Sequence, residues 1–327
     1  MRQDDQGIAS SVHNQAALLA SDIGLPDLAR DICLTHASAY VRAAPLPAMS
    51  AIRGLEPLIN LARLDIRAGD LGAGRRGISA LFEAVGAAVE FTNGAITVPA
   101  DLVSTASDRD EVRSWLWRVL LADGTRTLTS VGRWEEAQAH IERYRGVGRR
   151  MFDGRQVAVV AALANEDYKR VTHLIAGTEP GEPWERAITE TLDTAGRLES
   201  GSAREEDLIA LENVCLQGAQ EPGRTVFDTR LGLTILDVMG IAHRDCRTLV
   251  DRIVSRVIAA SDGYAAREIL SHDRSRRLLD YEETVRCQEL VNVCALGVGH
   301  LSEGTLGILQ GALREAGQVL RQSLAQS

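Results

Sequence analysis

Several groups of residues in this chain have types and spacings that could do chemistry. Gly72-Ala73-Gly74-Arg75-Arg76-Gly77 matches the dinucleotide pattern G-x-G-x-x-G, which works when a strand precedes it and a helix N-terminus meets the pyrophosphate. The preceding segment instead carries Leu55, Ile59, Ala62 and Ile66 on one helical face, so these glycines are expected to serve close helix packing. Cys33-x-x-His36 and His243-x-x-Cys246 each space two metal ligands at i,i+3, and together could form a Cys₂His₂ zinc site if the chain folded far back on itself. The alternative is small buried cysteines beside histidines. Arg204-Glu205-Glu206-Asp207 and Asp280-Tyr281-Glu282-Glu283 could hold acid–base pairs, but acids at helix starts serve the helix dipole equally well. His13, His140, His173, His272 and His300 form no constellation, and no H-E-x-x-H, G-x-S-x-G or Walker A sequence occurs.

Elements must position whatever site exists, and composition says which kind. The chain has 327 residues, 45% hydrophobic and 25% charged but only 4% aromatic. Those values describe a globular chain and favour helix over strand. A net charge of -9 argues against a nucleic-acid track or an anionic membrane surface. The arginine clusters Arg149-Arg150 with Arg155, and Arg274 with Arg276-Arg277, are interleaved with acids as solvated helix faces are. Lys169 is the single lysine among 36 basic residues. Five scattered cysteines without a C-x-x-C pair, a polar acidic N-terminus and apolar runs too short to span a bilayer lead us to expect a reduced, cytoplasmic protein.

Helical periodicity runs from about residue 8 to the C-terminus in pairs joined by tight turns. Ser10–Ser21 pairs with the segment from Leu25 to Val41, Leu55–Ala68 with Gly72–Val85, Arg113–Val131 with Trp134–Tyr144, and Gly154–Ala164 with Tyr168–Ile175. In three turns a glycine stands five residues before a small residue: Gly24 and Ala29, Gly69 and Gly74, Gly132 and Ala137. Such a glycine ends one helix in a left-handed conformation, and the small residue admits the next helix closely. Between Val89 and Val98 apolar and polar residues alternate about Asn93-Gly94, predicting a small β-hairpin or extended insertion. Residues 217–225 read as a boundary, dividing an 8–216 repeat region from a 226–327 C-terminal helical region. Five helices are expected beyond it, near Phe227–His243, Arg247–Ser261, Tyr264–Ser271, Tyr281–Val298 and Gly304–Gln326, the last a capping helix.

Gly132-Arg133-Trp134-Glu135-Glu136-Ala137 resembles the turn and second-helix start of the tetratricopeptide repeat (TPR), and Trp134 and Tyr168 stand one repeat length apart. The departures are enlarged early units and Arg155 where the fourth should carry an apolar residue. The resemblance covers roughly residues 8–200, is degenerate, and is similar in kind to helical-repeat proteins common in actinobacteria. It implies an all-α, TPR-like α-solenoid of helical hairpins with a C-terminal helical extension.

In such a stack the first helices line a concave groove, and the resemblance implies a peptide or protein partner bound there. Asn60, Arg63 and Arg67 lie at i, i+3 and i+7, away from the Ile59-Ala62-Ile66 stripe. Asn14, Trp117, Arg118 and Arg155 are the corresponding candidates in neighbouring units. Arginine there could grip a carboxylate or phosphate bidentately, or the polar residues could simply pair across repeats. The expected function is therefore a non-enzymatic scaffold or regulator without cofactor, metal, membrane or direct nucleic-acid contact; a homodimer is compatible with it. The alternatives are a helical enzyme or small-molecule binder of specialised metabolism, using His243-Arg244-Asp245 and Asp280-Tyr281-Glu282, or the sensory half of a transcription regulator.

Overall fold

Glycine and capping residues set the helix ends much as their chemistry requires. A computed structural model describes residues 2–94, 96–217, 223–240 and 246–326, with backbone alone for 2–4 and 215–217. Sixteen helices and one two-stranded antiparallel hairpin lie among the described residues. Gly24, Gly69 and Gly132 take φ values of 96°, 93° and 73°, the left-handed region where a side chain is strained. In the fourth turn Glu166 takes this place at φ 56°, and Asp167 caps the next helix by accepting from the Arg170 amide.

The chain divides into two units, residues 1–144 with 297–327, and residues 145–296. In the first, α1 (Arg2–Ile23), α2 (Pro26–Val41), α3 (Ala48–Arg67) and α4 (Leu71–Ala87) lead through β1 (Phe91–Asn93) and β2 (Ile96–Val98) to α5 (Ala106–Thr129) and α6 (Trp134–Arg143). Each helix packs on the next, except that the hairpin separates α4 from α5, which pack all the same; α1 also touches α3, and α3 touches α5. The central α3 buries Leu55, Leu58, Ile59, Leu61 and Ala62, while α1 and α2, which pack on each other, bury Ala9, Ala16, Ala20, Ala29 and Ala37. Each buried leucine or isoleucine contributes about 1.5–3 kcal/mol, and alanine lets the helix axes come close. The same economy explains Gly74: a Cβ there would stand 2.5 Å from Ile66 and 2.7 Å from the Ala62 carbonyl oxygen. The G-x-G-x-x-G run thus follows helix α3, and its middle glycine is a packing residue.

The Asn-Gly hairpin forms as expected, with Phe91 opposite Val98 and Asn93 opposite Ile96; Ala95 lies outside the described residues.

The second unit holds α7 (Asp153–Ala164), α8 (Tyr168–Ala176), α9 (Pro183–Glu199), α10 (Glu205–Gln217), α11 (Thr225–Met239), α12 (Cys246–Ala260), α13 (Gly263–Ser271), α14 (Asp273–Leu278) and α15 (Tyr281–Val293). From α7 to α13 each helix again packs on its successor, and α7 with α9, α9 with α11 and α11 with α13 also touch. Both acidic runs stand at helix starts: Glu205 opens α10, and Asp280 and Glu283 form a reciprocal capping box on α15. The helix-dipole reading of those residues accounts for them.

Finally α16 (Glu303–Leu324) returns to the first unit and packs on α1 and α2, burying Ala316, Leu320 and Leu324. The expected division at 216–226 therefore differs from the observed one, because the last helix belongs with the first two. Residues 218–222 of that expected boundary lie outside the described residues. No helix among the described residues is long and apolar enough to cross a membrane.

Candidate functional site

The first helices of the first unit, α1, α3 and α5, line a cleft of about 660 Å³. Asn14 comes to it from α1, and Asn60, Arg63 and Arg67 from α3. Four of the seven residues singled out in the sequence are thus brought together. Three of them, Arg63, Asn60 and Asn14, are joined by side-chain hydrogen bonds that run in one direction and end on Glu56. Arg63 Nη1 donates to Asn60 Oδ1 over 3.1 Å, Asn60 Nδ2 to Asn14 Oδ1 over 3.3 Å, and Asn14 Nδ2 to Glu56 Oε2 over 2.8 Å. Arginine can only donate and a carboxylate can only accept, so the two ends fix which way both amides point.

Buried acids hold the arginines from behind. Arg63 donates through Nε and Nη2 to Asp123 of α5, with a shortest distance of 2.8 Å; Arg63 is 49% exposed and Asp123 5%. Arg67 reaches Asp22 at 2.9 Å and Ser21 at 2.5 Å, both on α1. Each guanidinium is oriented by a carboxylate beneath it while its outer edge faces the cleft, the arrangement that pre-pays the side-chain entropy of gripping an anion. Truncating Arg63 to alanine should therefore cost about 2 kcal/mol, below the range for a fully buried pair because one partner is half in water. Removing Asp123 as well should recover part of the loss, read as the urea midpoint of the double variant.

The remaining walls come from residues that the sequence reading did not select. Trp115, Val119 and Arg126 of α5 face the cleft, with Leu18 of α1 and Glu56 of α3. Arg126 is exposed and has no acid within ion-pair distance among the described residues. Glu56 is half-buried, and desolvation raises its carboxyl above the usual range against the opposing pull of the Asn14 hydrogen bond and of Arg53 and Arg63. A regular core stripe at Val112, Leu116 and Leu120 could have located Trp115 and Val119, but apolar residues surround that segment and blur the helical phase.

Three of the selected residues lie elsewhere. Trp117 packs on the core of the first unit, and its indole N–H donates to the Tyr144 carbonyl at 2.8 Å. Arg118 is exposed one step further round α5 and does not line the cleft. Arg155 belongs to the second unit, is 7% exposed, and spends its guanidinium on the Gly148 and Leu174 carbonyls and the Thr178 hydroxyl. Its position at the start of α7 replaces an apolar contact with a hydrogen-bonded one.

No family model matches the chain, and no curated protein or solved structure matches it either.

The other candidate chemistry resolves residue by residue. Among the described residues no three His, Cys, Asp or Glu side chains gather as metal ligands. Cys33 and His36 are buried on α2, whereas His243, with Arg244 and Asp245, lies outside the described residues. Asp280 and Glu283 cap α15 and take ion pairs from Arg247. His36 instead joins a buried network: its Nε2 lies 3.2 Å from Ser10 Oγ, which lies 2.5 Å from the Tyr40 hydroxyl, and its ring stacks on His13 at 4.8 Å.

Proposed function

We propose that the α1–α3–α5 cleft is the concave face of a degenerate TPR-like α-solenoid, and that it binds an acid-bearing segment of a protein or peptide partner without chemistry. The observation that carries this reading is the Arg63–Asp123 pair, a half-exposed guanidinium fixed by a buried carboxylate on the wall of the cleft. Arg126 adds a cation on the same wall, and Trp115, Val119 and Leu18 supply apolar surface beside it. The packing of alternate helices, α1 on α3 and α3 on α5, supports a stack whose first helices share one face. A cleft of this volume suits a few residues of an extended chain. This reading places the protein in the cytoplasm, as a scaffold or regulator.

Arg126 offers the cleanest test, because no acid among the described residues pairs with it. The Arg126→Glu variant should retain wild-type helicity by circular dichroism and lose at least about tenfold in affinity for capped acidic peptides. Wild-type binding itself should weaken as salt screens the cleft. Unchanged peptide binding in the variant would remove the cleft from consideration as the binding site.

A further inference from the structure

The cleft carries two charges that make no direct ion pair among the described residues, and they have opposite signs. Glu56 accepts one hydrogen bond, from Asn14, and no cation stands within ion-pair distance of it among the described residues. Arg126 is the converse case on the facing helix. Arg53 and Arg63 act on Glu56 only at longer range, and desolvation outweighs them; a ligand cation in direct contact would relieve that cost. Arg63, by contrast, already has its acid, and so serves as a fixed donor.

Building on the binding role proposed above, we infer that the partner segment carries both signs, a lysine or arginine seated against Glu56 and an aspartate or glutamate seated between Arg63 and Arg126. Seven residues of helix separate Glu56 from Arg63, or about 10 Å along the axis. An extended segment covers that span in about three residues. Glu56 and the two arginines stand at opposite ends of that span and so fix the polarity: a segment with its charges exchanged faces like charges at both ends. Acidification neutralises Glu56 before an ordinary carboxylate, since burial raises its pKa, and the basic side chain should lose its seat first.

The test exposes the full-length protein to a synthetic library of capped peptides randomised among lysine, glutamate and alanine, and the bound fraction is sequenced. Wild type should enrich peptides with both charges about three residues apart. Glu56→Gln keeps an acceptor for Asn14 and should lose only the lysine enrichment, by about tenfold, while Arg126→Gln should lose only the glutamate enrichment. Enrichment of glutamate alone by wild type, or lysine enrichment that survives Glu56→Gln, overturns the two-signed ligand while the acid-binding cleft stands. No enrichment over the Arg126→Glu variant overturns both.

Discussion

Replacing Arg155 by alanine is expected to destabilise the second unit by about 2–4 kcal/mol and to leave peptide binding in the cleft untouched. The guanidinium is buried and makes three hydrogen bonds, to the Gly148 and Leu174 carbonyls and the Thr178 hydroxyl, which itself donates to Leu174. Truncation takes the Arg155 donor from the Gly148 carbonyl at about 1–3 kcal/mol if it is left dry, while Leu174 keeps the Thr178 hydroxyl; the lost packing of the buried side chain adds to it. Lysine should rescue less than half of the loss, because one ammonium cannot reach a fork of three acceptors. Amide hydrogen exchange across residues 148–178 checks it: protection there should fall in both variants. Wild-type protection in Arg155→Ala would show that water replaces the lost donors at no cost.

Acid should attack the first unit through the histidines between α1 and α2. His36 is held down to about 3 from an ordinary 6.5, by burial first and then by His13, and burial lowers His13 as well. His36 Nδ1 has no hydrogen-bond partner, so the neutral ring keeps its proton on Nε2 toward Ser10, and a second N–H would meet no acceptor. A histidine lowered in the folded state gives stability that is present in full above pH 6.5 and lost as the pH falls from there toward 3. The slope of about 1.4 kcal/mol per pH unit gives a loss of about 2 kcal/mol by pH 5 and about 5 kcal/mol by pH 3. Urea midpoints at pH 7.5 and pH 5 should differ accordingly for wild type, and the difference should shrink in His36→Gln. An equal pH dependence in the variant would assign acid sensitivity to other groups.

Much of this architecture was legible because it rests on local rules. Gly24, Gly69 and Gly132 announce left-handed helix ends, Asn93-Gly94 announces the hairpin, and Asp280 with Glu283 marks a helix start. The cleft was legible on α3, where a sharp apolar stripe fixes which side Asn60, Arg63 and Arg67 occupy. It was not legible on α5, where Trp115 and Trp117 both adjoin Leu116 with a polar residue on the other side, and only tertiary packing decides which faces the cleft. Arg155 misled for a different reason: an arginine in an apolar helix looks like a ligand until the carbonyls around it are known. The return of α16 had no local signal at all, since an amphipathic helix does not say which distant surface it covers.

That return sets an order of events during synthesis. The apolar side of α1 that α16 covers leaves the ribosome about 280 residues before its cover does, an interval of roughly 15–60 s at ordinary elongation rates. Through that interval the α1–α2 hairpin stays uncovered on that side while all of residues 145–296 are made. Translation must therefore reach residue 324 before all of α16 can close over α1.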